Sequence, residues 1–135
     1  MELSDASRNL AGILLLSIVT IEFGGTFLLR VVQGKQPTTD IQKSFFRAGH
    51  AHAGVLVILG LVIQLYADAT DLSGGTEWLG RSGVPVAALL IPGGFFLSVT
   101  KRNATAPNRL VWMIYTGAAL LAVGVVTLGV GLLTA

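Results

Sequence analysis

The chain has 135 residues, 53% of them hydrophobic and 12% charged, with 9 Lys and Arg against 7 Asp and Glu. A soluble protein this small could not cover so much apolar surface with so few charges, so the composition points to one domain, residues 1 to 135, in a membrane. The net charge of +2 is dispersed, with no basic run, so nucleic acid is not an expected partner; the absence of Cys excludes disulfides, thiolate metal sites and thiol catalysis.

The first apolar run, Leu10 to Val32, can cross a bilayer of about 30 Å, which takes roughly 20 helical residues. The leader before it carries Glu2 and Asp5 against Arg8, the wrong charge for a secretory signal, and no A-x-A-like site follows, so a permanent span is expected. Glu22 lies well inside this run. A charged side chain near mid-span costs roughly 2.5 to 3.5 kcal/mol, and each Leu, Ile, Phe or Val returns roughly 0.3 to 0.6. The helix can therefore insert, but Glu22 is expected to face other protein groups and to serve function.

After a loop with Gly34, Lys35, Gln36 and Pro37, Thr39-Asp40 offers an N-cap ahead of the second span, Phe45 to Ala67. This span opens on FRAGHAHAG and holds both of the chain's histidines, His50 and His52. At about 100° per residue the two rings point roughly 200° apart, so one helix cannot present both to a single ion, and no protein-only metal site is expected. A haem needs only one imidazole as axial ligand, which would fall to His50 or His52. His50 shares a face with Arg47, Gly54, Gln64 and Asp68, a stripe that reads as the lining of a polar path or ligand site. If the first two helices pair antiparallel, Glu22 reaches the depth of His50, so Arg47 and His50 become its expected partners.

The third span, Val84 to Val99, is the shortest and follows Ser73-Gly74-Gly75. Within it Pro92, Gly93 and Gly94 are expected to kink or unwind the helix and to act as a hinge. A third loop, Lys101 to Arg109, leads to Pro107, which suits the first turn of a fourth helix, Leu110 to Leu133. Its small residues, among them Gly117, Ala118, Ala122, Gly124, Gly129 and Gly131, allow close packing within the chain or between subunits. Tyr115 can bring a hydroxyl to the His50 level.

Short connectors imply an all-α integral membrane protein with four transmembrane helices in an up-down antiparallel bundle. Arg30, Lys35, Lys43 and Arg47 flank the first loop and Lys101, Arg102 and Arg109 the third, leaving Arg8 and Arg81 for the other side. The excess marks the cytoplasmic face, so both termini are expected outside, with a bacterial cytoplasmic membrane as the location. The leading functional expectation is proton-linked transport or a channel-like role. It places Glu22, Arg47, His50, His52, Gln64 and Tyr115 around a small ligand or proton in a homo-oligomer. The alternatives are an accessory subunit of a larger membrane complex and a haem- or quinone-binding redox protein or membrane enzyme. No G-x-S-x-G, P-loop or H-E-x-x-H motif points to soluble-enzyme chemistry.

Overall fold

Each of the first two helices starts where the sequence supplies a cap. Ser4 accepts a hydrogen bond from the Ser7 amide at the start of α1 (Asp5–Val32), and Thr39 forms a capping box with Gln42 at the start of α2 (Asp40–Ala67). Asp5 and Asp40 in the first turns and Arg30 in the last turn of α1 complement the helix dipoles. In this computed structural model, which describes residues 2 to 135, α3 (Gly74–Leu97) and α4 (Trp112–Thr134) complete an all-helical chain. A 3₁₀ turn over Arg109–Val111 precedes α4, and there is no strand among the described residues.

The helices outrun their apolar stretches. At 28 residues, α1 and α2 are each about 42 Å long, more than a hydrocarbon layer requires. The larger discrepancy is in α3, which begins at Gly74 rather than near Val84. Its first turns carry Glu77 and Arg81, too polar for a hydropathy pattern to register. Pro107 does not open α4; Asn108 caps the 3₁₀ turn instead, accepting from the Leu110 amide at 2.8 Å. Nor is there an unwound turn at Pro92-Gly93-Gly94, because α3 is helical without a break through Pro85 and Pro92 to Leu97. Side chains of α4 fill the glycine sites there: a Cβ on Gly93 would meet the Met113 methyl at 3.1 Å, and one on Gly94 would meet Ile114 at 2.6 Å.

Neighbours in sequence are neighbours in space. α1 packs on α2, α2 on α3 and α3 on α4; α1 only grazes α3, α2 only grazes α4, and α1 and α4 do not touch. The result is an open, staggered row with α2 and α3 at its centre. Directions alternate along it. Ser7 of α1, Gln64 of α2 and Arg81 of α3 meet at one end, joined by Gly131 of α4 against Leu72. At the other end Thr39 donates to the Ala104 carbonyl at 2.6 Å, while Gln42 Nε2 donates to Val99 and Lys101 carbonyls at 2.9 and 3.1 Å.

Apolar packing fills the row between these ties. Leu14, Leu56, Val57, Ala87, Ala88 and Ile91 form the middle, with Ile63, Ala67, Val84 and Leu128 nearer the Ser7 end. Phe46 anchors the opposite end, edge-on to Phe27 and stacked on Phe96. The α3–α4 seam is closest where two glycines face one another: a Cβ on Gly83 would come 2.9 Å from the Gly124 Cα. Gly117 and Gly124 lie buried on this seam and Gly131, seven residues further on, packs on Leu72 of the loop preceding α3, whereas Gly129 has nothing within 4 Å of its missing Cβ. All four helices are long and apolar enough to cross a membrane, but they are covered unequally by the chain itself. In α3 56% of the apolar window is buried, and in α1 only 11%.

Candidate functional site

The residues expected to form one polar site are dispersed along the row and do not meet. His50 is half-buried between α2 and α1, where Gly24 and Gly25 leave room for its ring. A Cβ on Gly25 would lie 3.4 Å from Cε1 and 3.5 Å from Nε2. The depth anticipated for the α1–α2 pair is therefore the one observed, and Glu22 sits one turn along α1 from Gly25. Its carboxylate, however, is on the exposed flank of α1, with no hydrogen bond or ion pair to another described residue. Facing inward, as expected for an acid in an apolar helix, is not what the isolated chain provides, because α1 has a neighbour on one side only.

Arg47 is exposed and lines a crevice against the end of α1 and the first loop. His52 points elsewhere, as its spacing from His50 requires. Its Nδ1 lies 2.7 Å from the Ala48 carbonyl, and its ring sits 5.1 Å from that of Phe95 on α3. A neutral His52 thus donates from Nδ1 and leaves Nε2 as the acceptor. Tyr115 is exposed on α4, 5.3 Å from Trp112, on the helix that does not touch α1. Gln64, which shares the His50 face, is fully buried, about 21 Å farther along α2. No three His, Cys, Asp or Glu residues are grouped to hold a metal ion among the described residues.

Gln64 belongs instead to a buried polar clasp that sequence reasoning missed. At its centre is Arg81 of α3, 3% exposed. Its Nη1 donates to Asp68 Oδ1 at 2.8 Å, to Ser4 Oγ at 3.2 Å and to Ser7 Oγ; its Nη2 donates to Glu77 Oε1 at 3.0 Å. Asp68 accepts further from the Ser4 amide at 2.9 Å and the Ser4 hydroxyl at 2.8 Å. Ser7 donates to the Gln64 carbonyl at 3.1 Å, and Gln64 Nε2 donates to the carbonyls of Gly60 and Arg81 at 3.1 and 3.0 Å. Three helices are stitched together by one guanidinium.

Local sequence explains each placement. Glu77 and Arg81 stand at i, i+4 on α3, and Gln64 and Asp68 at i, i+4 on α2, so each pair shares a face. Ser4 can serve Asp68 because capping α1 fixes its backbone beside the end of α2. The signal was legible in those spacings, but the two acids and the arginine flank the second loop and read as ordinary loop charges.

Burial acts to raise the Asp68 pKa, but hydrogen bonds from the Ser4 amide, the Arg81 guanidinium and the Ser4 and Ser7 hydroxyls outweigh it. Together they hold the carboxyl down to about 2, from an ordinary 3.8. Such a carboxylate stays ionised at any physiological pH. Arg81 Nε and Gln64 Oε1 are buried without partners, so the clasp is not fully satisfied. Its chemistry is that of a fixed ionic lock and offers no open reactive group. No known protein family, curated protein or solved structure matches this chain.

Proposed function

We propose that this chain is an integral membrane protein of the bacterial cytoplasmic membrane, with four spans and both termini outside, and that it works as a small subunit of a larger membrane assembly. The observation that carries this reading is Glu22 on the uncovered flank of α1, the helix whose apolar window is only 11% buried. An acid near mid-span is expensive against lipid, and such groups face protein or a water-filled cavity. The face bearing Glu22 is then an assembly face, completed by a further protein chain. The orientation is supported by the distribution of Lys and Arg: the clasp end carries only Arg8 and Arg81, against the basic first and third loops at the other end.

The test is cross-linking in the native membrane, with a photoreactive residue in place of exposed Phe23 on α1 or of exposed Trp112 on α4. A specific adduct from the α1 position, lost when Glu22 is replaced by Leu, is the expected result. A chain that yields no adduct from α1, and migrates as a monomer with or without Glu22, overturns the assignment.

A second reading, proton-linked transport, draws on the His50 ring packed at Gly24-Gly25, one turn from Glu22. In this reading a proton passes between the two groups along the assembly face. Loss of pH-driven flux in the reconstituted assembly on Glu22→Gln, with assembly intact, distinguishes it from a purely structural role.

A further inference from the structure

At the end of the row opposite the clasp, the close of α1, the first loop and the start of α2 enclose a crevice of about 420 Å³. Its walls differ in character. Leu28 and Val32 of α1 make one side apolar, while Gln36, Thr38, Lys43 and Arg47 bring polar and cationic groups to the other. No acid among the described residues lines it. Lys43 pairs with Asp40 at 3.7 Å in an exposed contact, weak enough for a competing anion to displace. The Thr38 hydroxyl is buried in the loop wall with no hydrogen-bond partner among the described residues.

We propose that this crevice binds a phosphate-bearing anion, and specifically the head group of an anionic phospholipid. Lys43 and Arg47 would take the phosphate, and the Leu28–Val32 wall the first carbons of the acyl chains. The inference rests on the membrane reading above. If the first loop is cytoplasmic, the crevice lies at the depth where head groups meet hydrocarbon, in the leaflet where anionic lipid gathers. A basic, acid-free pocket between helix ends at that depth has the chemistry of an anionic head-group site, and its apolar wall would be wasted on a free ion.

Full-length protein purified in mild detergent and offered an equimolar mixture of phosphatidylglycerol and phosphatidylcholine tests this, with the retained lipid identified by native mass spectrometry. Preferential retention of phosphatidylglycerol is expected. Lys43→Gln and Arg47→Gln should each weaken it about fivefold, the effect of losing roughly one interfacial cation contact. Arg30→Gln, a basic side chain at the same end but outside the crevice, should leave it unchanged. Lys43 and Arg47 are both exposed, so their loss should leave thermal unfolding in phosphatidylcholine unaltered. Equal retention of the two lipids, or an undiminished preference in the Lys43→Gln/Arg47→Gln double variant, overturns the site. Displacement of the lipid by excess inorganic phosphate would assign the crevice to a soluble anion and overturn the lipid source. Failure of the protein to float with vesicles of either composition would instead sink the membrane reading, a separately visible outcome.

Discussion

Arg81 and Asp68 meet at 2.8 Å with side chains only 3% and 7% exposed, across the gap between α3 and the end of α2. A buried pair of this kind gains little over a well-packed apolar pair, because both charges must first be stripped of water. Its consequence appears when one member is removed and the other is left alone.

Asp68→Ala should therefore destabilise the protein by about 3–5 kcal/mol, the range for breaking a buried ion pair. Glu77, whose side chain is 36% exposed, is a weaker partner, and Glu77→Ala should cost only about 0.3–0.5 kcal/mol. Thermal unfolding of both variants in one detergent provides the comparison. Equal losses would mean that Arg81 is not held chiefly by Asp68.

The same pair sets an acid limit. Because the folded pKa of Asp68 lies near 2 and its ordinary value is 3.8, its contribution to stability is complete above about pH 4 and fades as pH falls from 3.8 toward 2. Wild-type melting temperature should drop through that window. Asp68→Asn, already lower at neutral pH, should show a shallower fall over the same window, a difference readable by circular dichroism against pH.

Gly83 and Gly124 hold α3 and α4 in backbone contact. Gly83→Val should force the helices apart, since even a Cβ would sit 2.9 Å from the Gly124 Cα, and overpacking of this kind costs about 1–3 kcal/mol. Gly129→Ala meets nothing within 4 Å and should be neutral or slightly stabilising through helix propensity, by up to about 1 kcal/mol. A loss at Gly129 as large as that at Gly83 would show that Gly129 is packed in the native membrane.

At the opposite end, Gln42 is 7% exposed and closes the α2 capping box while its Nε2 donates to the Val99 and Lys101 carbonyls. Gln42→Leu keeps the bulk but orphans these groups, at about 1–3 kcal/mol. Hydrogen exchange should accelerate at the α2 start and in the Lys101 loop while leaving the clasp end protected.

The helices and their alternating directions were legible because apolar runs near 20 residues, separated by short polar connectors, leave few other arrangements. The Thr39 cap followed from its position before Asp40. The start of α3 was not legible, because Glu77 and Arg81 break the apolar pattern and the burial of Arg81 depends on Ser4, Ser7 and Asp68, partners remote in sequence. Register placed Glu22 at the depth of His50 correctly, through Gly24 and Gly25. Which way Glu22 turns depends on how α1 rolls against α2, and a single acid in an apolar helix does not fix that. Likewise the shared face of His50 and Gln64 was real, but a face running the length of α2 serves two ends with different neighbours.

The absence of contact between α1 and α4 has a geometrical corollary. The two ends of the row do not meet, so the outer flanks of α1 and α4 are left uncovered by the chain itself. A hydrophilic route along either flank would take its far wall from a further chain, whether a second copy of this one or a different protein.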